Sequence, residues 1–401
     1  MTGSSSDRNV PGRQQSDGGT FPLSALIALA LAGFITILTE AIPAGLLPQI
    51  AESLSVSHSD VGQMVTVYAI GSLVAAVPLT SATQGVRRRR LLASAIAGFA
   101  LANSVTAFSP AYALTIVARF VAGISAGLLW ALLAGYAARM VPDDQKGRAI
   151  AVAMVGTPVA LSIGVPAATF LGSVVGWRTC FAMLSAVAGL LVIWVATKLP
   201  DFPGQRADKS ASLSTVMRIA GVPPILFTTL AFVLAHNMLY TYIAPFLLQT
   251  GLQDEIDIVL FVFGGFSLIG IWGVGVFIDR KLRLFALLSS SLFIIAAAAL
   301  GLGSTSPSIV LMAVAIWGIA FGGAATLFQT ALARTAGEAT DVAQSMLVTA
   351  WNLAIAGGGL LGGLLLDHVG VDAFAPTLLG LLIPCLLAIW AARRHGFPPS
   401  S

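Results

Sequence analysis

Apolar stretches of some twenty residues recur along the whole chain, each closed by a short polar break. They lie near 22–48, 61–81, 91–109, 111–138, 148–173 and 177–198. After a polar segment at 199–222 they resume near 223–248, 258–278, 284–303, 307–333, 342–366 and 372–392. A bilayer is crossed by about 20 apolar residues in a helix. An open sheet would leave backbone groups unpaired in lipid, so every span is expected to be helical. The pattern predicts an all-α membrane protein of twelve transmembrane helices. The expected divisions are a disordered cytoplasmic tail at 1–21, a six-helix bundle at 22–198 and a cytoplasmic linker at 199–222. A second six-helix bundle at 223–395 and a cytoplasmic tail at 396–401 complete the chain.

Composition sharpens this picture. The chain is 57% hydrophobic and 9% charged, where a soluble domain carries about 25% charged residues. Nineteen of its 21 Lys and Arg fall in one alternate set of loops and tails, Arg178 is in the other, and Arg119 is inside a span. The positive-inside rule then places both termini in the cytoplasm of a cell-membrane protein. The net charge of +4 is no nucleic-acid signal, because the basic residues sit between apolar runs. No Walker-type or zinc-binding motif is present, so no cofactor, metal or enzymatic chemistry is expected. Cys180 and Cys385 read as small buried hydrophobes. The expected partners are lipid, a small-molecule substrate and protons, and the chain is expected to act as a monomer.

Three ionisable side chains sit well inside spans: Glu40, Arg119 and His236. A charge at membrane depth costs roughly 2.5–3.5 kcal/mol on insertion scales and is a functional-site signal by default. At 1.5 Å per helical residue, Glu40 and Arg119 reach roughly 25–28 Å from the basic end, and His236 roughly 20 Å. One cavity can hold all three, which makes them candidates for proton coupling. Thr36 shares the face of Glu40. Tyr68, Trp130, Asn237, Tyr240, Gln329, Trp351 and Asn352 are the candidate cavity lining. Pro43 lies three residues beyond Glu40. Gly123 and Gly127 allow a close neighbour to the Arg119 helix. Pro158, Gly164 and Pro166 predict a bent fifth span. A shift of 197 residues lays Pro48 on Pro245 and Glu40 on Asn237, which suggests an internal repeat with a binding site between the halves.

These residues resemble the major facilitator superfamily, in its twelve-span drug and sugar efflux branch. The stretch TEAIPAGLLPQI at 39–50 resembles the first span of sugar-efflux and arabinose-efflux-like members. ARFVAGISAG at 118–127 resembles the fourth-span motif whose Arg is tied to proton coupling in the family. GVP at 164–166 with GWR at 176–178 resembles the fifth-span antiporter motif and its flank. The loop between spans two and three departs from the family pattern: LTSATQGVRRRR at 79–90 has no acid before its basic run. The second half keeps the pattern as GVFIDR at 275–280, with Gly275, Asp279 and Arg280 as candidate gating residues. The resemblance implies a proton-coupled exporter of a sugar or an amphipathic drug. A proton-independent facilitator or uptake permease is the alternative transport reading, and a non-transporting sensor or scaffold the alternative of another class.

Overall fold

The computed structural model describes residues 21–76, 79, 82–83, 85–142, 145–204 and 213–397. They form helices joined by short connections, with no strand among the described residues. The first half holds α1 Leu23–Gly45, α2 His58–Ala76, α3 Arg88–Phe108, α4 Tyr112–Arg139, α5 Arg148–Val175 and α6 Trp177–Lys198. The second holds α7 Val222–Thr241, α8 Ile256–Ile278, α9 Arg280–Leu302, α10 Pro307–Ala336, α11 Val342–His368 and α12 Val371–Ala391. All but α2 are long and apolar enough to cross a bilayer. The described part of α2 carries Ser59, Asp60, Gln63, Thr66 and Ser72. It can do so because it packs between α4 and α11 and meets protein on both sides. The outer wall is apolar, with Leu101, Leu190, Trp272 and Trp390 each more than 60% exposed. Such a wall faces lipid chains rather than water.

One element differs from the sequence expectation, and a second shows its form. The eighth and ninth spans have no loop between them; the helix reverses at one non-helical residue, Lys281 (φ −135°, ψ 30°). The fifth span, expected to bend, carries a π-turn at Ala160–Gly164 between Pro158 and Pro166. A proline lacks the N–H that closes a helical turn, so a wider turn relieves the misfit.

The repeat is visible in the packing. Helix α1 breaks at Leu46 (φ −113°, ψ 19°) and α7 breaks at Tyr242 (φ −110°, ψ 27°). That offset of 196 residues pairs Glu40 with His236, one residue away from the Asn237 pairing of the sequence match. In the first half Gly123 and Gly127 of α4 lie against the Tyr68 and Ser72 carbonyls of α2. In the second, Gly318 and Gly322 of α10 lie against the Phe263 and Ser267 carbonyls of α8 in the same manner.

The halves pack on each other at the end opposite the basic loops and at mid-span. Tyr242 donates to the Gly359 carbonyl at 2.7 Å, and its ring fills the space over Gly62 of α2. Gly359 faces Thr66, and Gly264 of α8 lies on the Ser162 backbone of α5. At the basic end each half is stitched to itself. Residues after α6 cross back to the start of α3, where Asp201 accepts from Arg87 Nε at 2.6 Å and from the Arg89 N–H at 3.3 Å. Phe202 and Pro200 add backbone acceptors for the Arg88 N–H and the Tyr136 hydroxyl. Asp201 therefore caps a helix that opens on three arginines, a poor match to the positive end of the helix dipole. In the second half Arg283 does the equivalent, donating to the carbonyls of Ile389, Trp390 and Phe397.

The hydrogen bond from Arg87 holds the Asp201 carboxyl below its ordinary value of 3.8. A carboxyl depressed in the fold contributes stability above its unfolded pKa and loses it as pH falls through the folded value. At neutral pH the stitch is fully formed. Asp201→Asn should therefore lower thermal stability at pH 7, and the gap to wild type should close as pH falls below the carboxylate range. A gap that is constant across pH would mean that the charge of Asp201 is irrelevant.

Candidate functional site

Pro43 sits inside α1 and has no N–H to give the carbonyl four residues earlier. That carbonyl belongs to Thr39, and Arg119 of α4 takes it, Nη1 to O at 2.6 Å. The same guanidinium donates to the Glu40 carbonyl at 3.4 Å and, from Nε, to the Met64 carbonyl of α2 at 3.3 Å. Arg119 is fully buried, with its charge 4.8 Å from the Tyr68 ring centre and 5.8 Å from that of Phe181. Backbone dipoles and ring faces thus carry a charge that stays protonated under ordinary conditions. Tyr68 donates to the Thr36 carbonyl at 3.2 Å, and Asn103 of α3 donates to the Thr39 hydroxyl at 3.0 Å.

Glu40 is placed differently from what two opposite charges at one depth suggest. Arg119 bonds its backbone, and no ion pair forms between Arg119 and its carboxyl. Glu40 as a residue is half-buried, and its carboxyl has no hydrogen bond to another described residue. It stands within electrostatic reach of Arg119, Tyr68 and, from the other half, Tyr240. The site therefore offers a titratable group that is unengaged, beside a cation that is fully engaged.

Across the interface, His236 lies among rings. It stacks on Phe321 at 3.4 Å between centres, with Tyr240, Phe263 and Trp317 at 5.3–5.6 Å. Its Nδ1 and the Trp317 Nε1 are buried without partners. Where the first half has Glu40 and Tyr68, the second has His236 and Phe263: a polar site and an aromatic twin. Asn237 is turned onto its own helix, donating to the Val233 carbonyl and packing on Gly358. Asn352 does likewise with Val348. Trp351 reaches Phe321 at 6.3 Å, and Trp130 packs at Gly33 of α1. Gln329 is exposed near the basic end and is not brought to the others. Gly164 faces Phe34 and Leu38, while Gly275 and Arg280 are exposed. The Asp279 side chain lies outside the described residues. Met64, Thr39, Asn103, Phe263, Trp317 and Phe321 belong to these two clusters and are absent from the sequence candidates. Asn103 had a signal, as a lone amide in the run ALANSVTAF, and so did Thr39, at four residues before a helical proline. The phenylalanines had none, since nothing separates them from core rings.

Pro43→Ala tests the first of these links. The new N–H would compete for the Thr39 carbonyl. The helix should gain up to about 3 kcal/mol in the absence of other changes, while Arg119 loses sole use of its shortest acceptor. Thermal stability is expected to rise and transport to fall. A rise in stability with undiminished transport would show that this carbonyl does not matter to Arg119.

Long spanning helices in two related halves, meeting over a buried polar site, are the build of a membrane transporter. The sequence pattern of the Major Facilitator Superfamily matches residues 29–359. A "Probable sugar efflux transporter" of Mannheimia succiniciproducens is 29% identical over 372 residues, covering 91% of this chain and 92% of that protein. The "Transcription regulatory protein OpdE" of Pseudomonas aeruginosa is 30% identical over 381 residues, covering 92% and 94%. Among solved structures, the xylose transporter XylE from E. coli, in a partially occluded inward open conformation, superposes with a TM-score of 0.72. That match is 15% identical and covers 93% of this chain and 99% of the other, so it speaks to the fold. The chain belongs to the Major Facilitator Superfamily. It is a multi-pass membrane transporter rather than an enzyme, with the all-α fold of two six-helix bundles.

Proposed function

We propose that this transporter exports a small organic solute from the cytoplasm in exchange for protons, with sugars the leading substrate class and amphipathic drugs the next. The observation that carries this is the unengaged Glu40 carboxyl beside an Arg119 already held by three carbonyls. Desolvation favours a neutral carboxyl and a nearby cation favours the charged one. Any rocking of the halves that changes the hydration of Glu40, or its distance from Arg119, moves a proton on or off. Substrate and proton then compete for one cavity, as antiport requires. The basic loops support a cytoplasmic position for both termini in an inner or plasma membrane. On that orientation the contact of Tyr242 with Gly62 and Gly359 lies toward the outer side.

Glu40 carries the proton and Arg119 sets its field. His236 and Tyr240 form the facing wall, with Thr36, Tyr68, Trp130, Asn237, Trp351 and Asn352 along the path. Pro43, Pro158, Pro166 and the glycines Gly123, Gly127 and Gly164 shape surfaces that slide or rock, with Gly275, Asp279 and Arg280 as the second-half latch. The relative named a regulatory protein supports a second reading, a membrane sensor without flux. Purified protein in vesicles, given a panel of labelled sugars and lipophilic cations under imposed pH differences, separates these. Antiport predicts concentration of one solute, driven by about 1.4 kcal/mol per proton for each pH unit. Flux that ignores the pH difference would make the protein a facilitator, and no flux of any solute would favour the sensor.

A further inference from the structure

Asn103 is fully buried on α3. Its Nδ2 donates to Thr39 Oγ1 at 3.0 Å, while its Oδ1 has no partner. An apolar side chain of the same size would fill this space without stranding an acceptor. It would not hold the Thr39 hydroxyl. Several threonines in these helices turn back onto the carbonyl four residues earlier, Thr36 on Ala32, Thr106 on Ala102 and Thr115 on Ala111, while Thr66, Thr169 and Thr241 are buried with no partner for the hydroxyl. Thr39 shows no such bond; its hydroxyl accepts from Asn103. Back-bonding of this kind bends helices. A bend at Thr39 would shift the two α1 carbonyls that hold Arg119, those of Thr39 and Glu40.

We propose that Asn103 is a positioning residue for the proton site. By holding the Thr39 hydroxyl it fixes the turn of α1 whose carbonyls anchor Arg119 and whose next side chain is Glu40. The inference rests on Glu40 as the proton carrier. The groups that face Glu40 are Arg119 on α4, Tyr68 on α2 and Tyr240 on α7. A change at Asn103 leaves all three in place chemically and acts only through the distance between Glu40 and Arg119.

The test is an infrared titration of the purified full chain, following the protonated-carboxyl band that disappears in Glu40→Gln. It needs no substrate. Asn103→Leu is expected to move the midpoint of that band by about threefold or more in proton affinity. Thr39→Val should move it in the same direction by a similar factor. The double variant should move it no further than either single change, because both act through one hydrogen bond. An unmoved midpoint in Asn103→Leu, or shifts that add in the double variant, would overturn the proposal. If Asn103→Leu does not fold, Thr39→Val decides alone, since it keeps the amide and removes its target. A band that titrates but ignores both changes sinks Asn103 and leaves Glu40 standing. No Glu40-dependent band at all sinks both.

Discussion

Glu40→Gln should abolish the accumulation of solute driven by a pH difference while leaving equilibrium binding nearly intact. Glutamine keeps the size of the side chain and its capacity for hydrogen bonds, but it has no proton to release. Wild-type Glu40 makes no hydrogen bond or ion pair to a described residue, so its amide breaks no bond of the resting fold. Binding should therefore change by less than about tenfold, the scale of one ordinary hydrogen bond. Arg119→Lys should be damaging as well. A lysine is a single point charge and cannot reach the carbonyls of Thr39, Glu40 and Met64 together as the planar guanidinium does. The measurement is flux into vesicles at imposed pH differences, beside binding across pH. A Glu40→Gln protein that still concentrates solute would make Glu40 structural and turn attention to His236.

Glu40 and Arg119 were legible because a charge in an apolar run is costly enough to need a reason. Their depths, counted in residues from the helix ends, agree with a structure in which Arg119 touches the backbone at Glu40. The partner of Arg119 was harder to read. Opposite charges suggest an ion pair, yet the guanidinium goes to a carbonyl that Pro43 leaves without a donor. That rule is written in the sequence, as proline at position i freeing the carbonyl at i−4, but it takes effect only when another helix delivers a cation. The acid missing from the loop before α3 is a similar case. Asp201 supplies a carboxylate from more than a hundred residues away, and no local pattern links the two. His236 stood out by type and depth, but its ring neighbours come from α8 and α10, and periodicity within α7 says nothing of them. The helical fold needed only apolar run length. The contents of the site needed the packing of one helix on another.

Gly123→Ala should lower the stability of the protein and disturb the site together. A Cβ at this position of α4 would run into the backbone carbonyl of Tyr68 on α2. Backbone atoms of a packed helix cannot rotate away as a side chain can, so the helices must part. Forcing extra volume into a close contact costs about 1–3 kcal/mol. The colliding residue is the one that lays its ring beside Arg119 and donates to the Thr36 carbonyl. A displaced α2 also carries the Met64 carbonyl away from Arg119. The matched control is Gly135→Ala, farther along the same helix, where a Cβ would meet nothing. Helix propensity alone predicts a gain there of up to about 1 kcal/mol. Thermal unfolding in detergent should therefore separate the two variants in opposite directions, and pH-driven flux should fall only in Gly123→Ala. Equal stability and equal flux would show that α2 and α4 can slide without loss, and that the glycines set no register for the site. The twin contact of Gly318 with Phe263 makes a second trial possible, because Gly318→Ala should destabilise as Gly123→Ala does while leaving the contacts of Arg119 in place.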